Sequence, residues 1–251
     1  MITGLITVRT TSTRFNNKCL SKFSSFETLI EFVINRCLFY EIDPIICTSL
    51  DQSDDIIEDI ANRNKIKIFR GSLDNKMKRW SDCSKFYDLE NFHSIDADDP
   101  FFDGERMKES MKLLLRGGYD YVKPSYYSDN GGATEGYSVS TSFLNKVSQK
   151  YNDNSLDTEM AVYYFEKFKN AKNYVLKDPP YAIKINNQIP RLTLDYFEDY
   201  IFLNHLSFIV SNHSNRTNIE KFLKSDTKFC DINIHLNELW KKNQLSKKNR
   251  L

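Results

Sequence analysis

Through the first half of the chain, short apolar runs rich in β-branched residues exchange with stretches whose apolar positions recur every three to four residues. This is the pattern of strands alternating with amphipathic helices. Leu5 to Val8 predicts a first strand and Thr28 to Cys37 a first helix. Ile45 to Thr48, just after Pro44, predicts a second strand; a helix over Asp54 to Arg63 sets Ile56, Ile57 and Ile60 on one side, and Ile66 to Phe69 follows as a third strand. A helix over Met77 to Tyr87 and a strand over Phe92 to Ile95, stopped by an acidic loop and Pro100, continue the alternation. A helix over Glu105 to Arg116 then ends at Gly117-Gly118 before Tyr121-Val122. Such an order predicts an α/β fold, a mostly parallel sheet flanked by helices.

Beyond Val122 the alternation weakens. Residues 123–137 hold Tyr126, Tyr127, Gly131, Gly132, Gly136 and Tyr137, a loop-rich stretch suited to a lid or recognition surface, and an acceptor and dimerisation region is expected around 119–185. Helical pattern returns over Ser155 to Phe168, strands are expected at Ala182 to Ile185 and Leu192 to Leu194, and helices from Glu198 onward, with a polar, frayed tail from Lys241 to Leu251. At 251 residues and 40% hydrophobic side chains, the chain has material for one sizeable core, so residues 1–251 are read as a single domain.

Charge narrows the functional classes. Thirty-five Lys and Arg stand against 34 Asp and Glu. No overall basic field exists to hold a nucleic-acid backbone or an anionic membrane, and any anion site must be local. The start of the chain shows no basic leader, and no run approaches the roughly 18 apolar residues of a membrane span, so a cytoplasmic location is expected. Five cysteines and four histidines fall in no metal-ligand spacing and no hydrolase triad order.

Two segments stand out for chemistry. Arg9 to Lys18, directly after the first strand, carries three cations and four hydroxyls with no acid, at the place where parallel sheets bind anions. Read alone, it is equally a solvated basic turn. Ser94-Ile95-Asp96-Ala97-Asp98-Asp99-Pro100 concentrates three carboxylates at a strand end, a costly arrangement unless a cation neutralises it. Far along the chain, Asp195 sits at another predicted strand end within Arg191-Leu192-Thr193-Leu194-Asp195, ahead of a helix whose first turn takes Asp199. Each aspartate alone reads as readily as a turn or helix cap.

Taken together, these segments resemble the bacterial cytidylyltransferases of the spore-coat polysaccharide type, relatives of the synthetases that make CMP-activated ulosonic and sialic acids. That family carries R-x-x-S-x-R-[L/F]-P-x-K after its first strand, matched here by Arg9, Ser12, Arg14, Phe15 and Lys18, with Thr11 and Asn16 where glycine and proline are usual. Its G-D-x-P is matched by Asp98 and Pro100, its R-[L/W]-T-[V/L]-D-x-x-x-D by Arg191, Thr193, Asp195 and Asp199, and its F-R-G-S-x-D-D by Phe69-Arg70-Gly71-Ser72-Leu73-Asp74-Asn75.

The resemblance implies the Rossmann-like fold of nucleotide-diphospho-sugar transferases and transfer of CMP from CTP to a small anionic acceptor: a sugar acid, polyol phosphate or phosphonate. It implies a magnesium ion on Asp98 and Asp195, a nucleotide held by Thr7, Arg9, Ser12, Arg14, Lys18, Arg70, Ser72 and Asp98, and catalytic roles for Arg14, Lys18 and Asp98. A homodimer is expected on the same ground. Lys123, Glu135, Ser138 and Glu159 are candidate acceptor contacts from their place in the chain, and read equally as ordinary polar residues. Two other functions remain open at this level: a glycosyltransferase-like enzyme using a nucleotide sugar, for which Asp96-Ala97-Asp98 supplies the acidic D-x-D, and a non-catalytic sugar-nucleotide binding module.

Overall fold

The structure, a computed structural model, describes residues 1–11 and 14–248, with side chains placed for those up to 243. Among the described residues the sheet has seven strands: β1 Ile2–Thr7, β2 Ile42–Ser49, β3 Lys67–Gly71, β4 Asn91–Asp96, β5 Tyr121–Lys123, β6 Ser138–Ser140 and β7 Asn173–Val175. Their order is β3-β2-β1-β4-β6-β5-β7. β1 pairs in parallel with β2 and β4, and β2 with β3, whereas β6 runs antiparallel to both β4 and β5. The expected mostly parallel α/β sheet is therefore present.

The helices are α1 Leu29–Phe39, α2 Asp55–Arg63, α3 Lys76–Phe86, α4 Gly104–Gly117, α5 Thr141–Lys150, α6 Ala161–Phe165, α7 Phe197–Ile209, α8 Arg216–Ser225 and α9 Leu236–Lys248. Strand alternation sends successive side chains to opposite faces. Ile6, Ile46 and Ile95 pack with Val33 and Ile60, while their neighbours Leu5, Ile45 and Phe92 pack with Trp80 and Phe143. Local signals set the boundaries: Thr28 caps α1 in a reciprocal pair with Glu31, and Gly118, at φ 59°, ends α4. A third cluster joins Phe23, Phe32 and Phe101 to Leu192, Leu194, Phe202 and Ile219, fastening α7 and α8 across α1.

The second half departs from its predicted elements. Ser155 to Phe168 yields only α6, because Asp153 and Asp157 accept from the backbone N–H groups of Ser155 and Glu159 and turn the chain instead. Ala182 to Ile185 is no strand: Ile185 and Gln188 exchange backbone hydrogen bonds around Asn186 and Asn187, both at positive φ, in a tight reverse turn. Leu192 to Leu194 bends at Thr193 and lies outside the sheet, bonding singly to the carbonyls of Gly131 and Asp98. The tail expected to fray from Lys241 is helical as far as Lys248, and its last three residues lie outside the described ones. The short strand β6 was not predicted, since Ser138-Val139-Ser140 carries no apolar run. It pairs Phe92 with Val139 and His93 with Ser138, and Gly136 just before it lies so close to the Ser94 carbonyl that a Cβ would come within 2.1 Å.

Candidate active site

The basic loop crosses the carboxyl ends of β1 and β4, and a buried carboxylate holds it there. Asp54 accepts from the Thr10 N–H and hydroxyl, each at 2.8 Å, on one oxygen, and from the Thr48 and Ser49 hydroxyls, at 2.9 and 2.5 Å, on the other. Burial alone would raise the Asp54 carboxyl; the hydrogen bonds from Ser49, Thr10 and Thr48 hold it below the usual range. Ser12, expected at the nucleotide, lies outside the described residues.

Past the loop's turn, three remote segments meet. The Lys18 ammonium donates to Asp98 Oδ2 at 2.7 Å and to the Leu194 carbonyl at 2.5 Å, and lies 3.5 Å from Asp195 Oδ1. Arg14 donates to the same Asp195 oxygen, while Arg191 donates to its other oxygen at 3.0 Å. Burial would raise the Asp195 carboxyl, but Lys18, Arg14 and Arg191 hold it low; the same two acids keep the Lys18 ammonium above its ordinary pKa although burial pushes it down.

The backbone enforces this meeting. Leu194 N–H donates to the Asp98 carbonyl at 2.8 Å, and Asp199 Oδ2 accepts from the N–H groups of Asp195 and Tyr196 at 2.9 and 3.0 Å. Asp199, in the first turn of α7, is itself gripped by the fully buried Arg191 through Nε at 2.8 Å and Nη2 at 3.0 Å.

A second cationic bridge lies beside the first. Lys76, at the start of α3, donates to Asp96 at 2.9 Å and stands 3.5 Å from Glu159, whose other oxygen accepts from Arg9 at 2.9 Å. Its ammonium rests 4.9 Å from the Trp80 ring centroid, and the Trp80 indole N–H donates to the Thr7 hydroxyl at 2.8 Å. Burial and the neighbouring Asp98 raise the pKa of both Asp96 and Asp99. The crowded carboxylates are thus neutralised by lysines of the chain itself.

These groups line a cleft of about 800 Å³ that takes in Thr7, Arg9, Arg14, Lys18, Asp98 and Glu159. A smaller cavity of about 210 Å³ adjoins it, sharing Arg14, Asp96, Asp98 and Glu159 and reaching Glu135 and Asp195. Four expected residues are elsewhere. Arg70 donates to Glu58 and to the Ser49 and Asp51 carbonyls, and with Ser72 lines a separate hollow on the far side of β3. Ser138 is fully buried in a core network with His93 and Ser110, at 2.8 Å from each. Lys123 pairs with Glu166 at 2.5 Å. Glu135 reaches the smaller cavity, but it also braces the loop by accepting from the Ser125 N–H at 3.0 Å.

Lys76 and Asp54 were not found from sequence. Lys76 does follow the Phe69 to Asn75 segment directly, and a lysine opening a helix beneath an acidic strand end is the signal that could have exposed it. Asp54 reads as an ordinary helix start, and nothing in the local sequence marks its partners Thr10 and Thr48.

For a metal, the donor set is sparse. Among the described residues no group of three or more His, Cys, Asp or Glu side chains could hold an ion. Asp98 and Asp195 share one ammonium and so lie close enough to share a different cation, the remaining positions falling to a ligand's oxygens. That suits a hard ion held by one or two carboxylates and does not suit zinc.

Comparison with known proteins bears on the fold and the family. The chain is similar to an uncharacterised protein of Methanocaldococcus jannaschii, 26% identical over 201 residues that cover 79% of this chain and 80% of that one. Its fold matches a cytidylyltransferase from Leptospira borgpetersenii with TM-score 0.79 at 21% identity, over 91% of this chain and 96% of that one. It also matches a CMP-2-keto-3-deoxy-manno-octonic acid synthetase solved with CTP, with TM-score 0.61 at 8% identity, over 83% and 99% of the two chains. Among the described residues no helix is long and apolar enough to cross a membrane. A profile of the cytidylyltransferase family matches residues 3–232, and the chain belongs to that family as a CTP-dependent nucleotidyltransferase.

Proposed function

We propose that this enzyme transfers CMP from CTP to a small acceptor bearing an anionic group, a sugar acid, polyol phosphate or phosphonate, with magnesium as cofactor and release of pyrophosphate. One observation carries the reading: cations from the basic loop and carboxylates from two remote segments meet at Lys18, which contacts Asp98 and Asp195 together. The acceptor oxygen attacks the α-phosphorus, the new O–P bond forms as the bridge to the β-phosphate breaks, and pyrophosphate leaves with the bonding electrons. Arg14 and Lys18 exchange their carboxylate partners for phosphate oxygens and offset the charge that gathers on the leaving group. Asp98 and Asp195, relieved of those cations, would hold the magnesium ion. Bound there, it would neutralise phosphate charge and, for a hydroxyl acceptor, lower the acceptor's pKa. A phosphate or phosphonate acceptor is already ionised near neutrality and requires no general base.

Pyrophosphate release with each of the four nucleoside triphosphates, with and without magnesium, tests the proposal. CTP with magnesium is expected to be used alone, and Asp98→Asn to lower turnover by about 10²- to 10⁴-fold while leaving the far-UV circular dichroism unchanged. Full activity in that variant would remove Asp98 from the mechanism. We further propose that the enzyme works in the cytoplasm as a homodimer supplying an activated unit for surface glycan synthesis; a monomer by light scattering would end the dimer assignment.

A further inference from the structure

The smaller cavity carries a chemistry that the nucleotide does not use. Both tryptophans of the chain, Trp80 and Trp240, line it. Trp240 belongs to α9, beyond the stretch that matches the family, so this wall is a feature of the chain's own carboxyl-terminal segment. Its placement is fixed from two sides. One helical turn earlier, Asn237 donates to the Ile189 carbonyl at 2.9 Å and sits against Gly131, where a Cβ would meet its Oδ1 at 3.1 Å. The Arg191 guanidinium, neutralised by Asp195 and Asp199, lies 5.8 Å from the Trp240 ring centroid and leaves the indole half-buried.

Gly131 shares its turn, Ser128–Gly132, with Asp129, so the turn that abuts α9 also brings a carboxylate to the cavity occupied by Trp240. The other acids there are engaged: Asp96 and Glu159 by Lys76, Asp98 and Asp195 by Lys18, Asp99 by the Thr193 side chain, and Glu135 by its loop. The Asp129 carboxylate has no hydrogen bond or ion pair among the described residues, and the nearby Lys123 is tied to Glu166. It lines the cavity, where burial pushes its carboxyl up to about 7, and an ammonium beside it would draw it back to the anion.

Resting on the reading above, we propose that Asp129 and Trp240 form a subsite for a positively charged amino group, so that the acceptor is a zwitterion. Its anionic end faces Arg14 and the Asp98–Asp195 pair, and its ammonium packs on the indole and pairs with Asp129. An ammonium is attracted to an indole face and to a carboxylate together, whereas a second anion would meet a wall already rich in acids.

The test compares two probes that differ only in the amino group, 2-aminoethylphosphonate and ethylphosphonate. Their binding to the full chain is followed by intrinsic tryptophan fluorescence, which reports on this cavity because both tryptophans line it. The aminated probe is expected to bind about tenfold more tightly, and Asp129→Asn, an isosteric change, to abolish that difference. Trp240→Phe should keep part of the preference and Trp240→Ala should lose it, with α9 checked by circular dichroism. Equal binding of the two probes would overturn the proposal, as would tighter binding of glycerol phosphate than of the aminated probe. Because this readout needs no turnover, it fails independently of cytidylyl transfer. Release of pyrophosphate from CTP with non-aminated acceptors alone would sink the subsite and leave the reaction class standing.

Discussion

The strands β3, β2, β1 and β4 on one side of the cleft, and β6, β5 and β7 on the other, are built by different rules. In the first group, contiguous β-branched runs pair in parallel, and the segments that leave the ends of β1 and β4 carry Arg9, Arg14, Lys18 and Asp98 to the cleft. In the second, three-residue strands add single core side chains such as Tyr121, Val122 and Val139, and the residues that reach the cavity come from a turn, a loop and a distant helix. On the proposed reading, the nucleotide would take the strand-end side, of the usual parallel-sheet kind, and the acceptor the side assembled from pieces remote in sequence. The first side is thus written in local motifs, and the second in tertiary contacts.

The largest expected break in this contrast comes from Lys18→Met, which removes the cation joining Asp98 to Asp195. It should lower kcat/KM for CTP by about 10³-fold, measured by pyrophosphate release, while leaving the sheet intact. Unchanged kinetics would mean that the cations of the strand-end loop do not serve the triphosphate.

Next is the hinge between the two sides. Asp199→Ala leaves the fully buried Arg191 without its closest partner. Unfolding free energy in urea should drop by about 3 kcal/mol. A loss below about 1 kcal/mol would show that Asp195 and Tyr196 need no such anchor.

A third prediction separates the sides by pH. The Gly136 N–H donates to His93 Nε2 at 3.2 Å, so Nδ1 carries the proton offered to Ser138, and burial pushes the imidazole down to about 3. The unfolded chain therefore binds this proton more readily than the folded one. The stability linked to His93 is complete above pH 6.5 and falls by about 1.4 kcal/mol per pH unit as acidity rises toward pH 3. Urea midpoints between pH 7.5 and 4.5 should fall less in His93→Gln than in the unaltered protein; parallel curves would contradict the buried neutral ring.

Smaller effects sharpen the picture. Asp54→Asn loosens the Thr10 end of the basic loop, for which about a tenfold rise in KM for CTP is expected with kcat little changed. Arg70→Ala, in the hollow beyond β3, should change KM for CTP by less than about twofold.

The contrast also explains what could be read from the chain before its structure. The runs at Leu5, Ile45 and Ile66 and the helices between them were legible because burial on both sheet faces demands continuous apolar strands. Asp98, Asp195, Lys18 and Arg14 were picked out together through the family resemblance, since each segment alone read equally as a turn or cap, and the structure brings the four side chains to one place. Arg70 sits in an equally recognisable segment, yet two acids of α2, Asp55 and Glu58, and the Asp51 carbonyl draw it away, a tertiary preference invisible in a linear motif. Strand β6 escaped because Ser138 can be buried once His93 and Ser110 satisfy its hydroxyl, and Trp240 because nothing in α9 announces which cavity it lines.

The hydrogen bond from Leu194 N–H to the Asp98 carbonyl bears on the order of synthesis. A ribosome releasing this chain from its amino terminus delivers all seven strands by residue 175, but Asp195 only afterwards. Until then Lys18 has a single carboxylate to grip. The bridge between the two aspartates is therefore the last of these features that synthesis can supply.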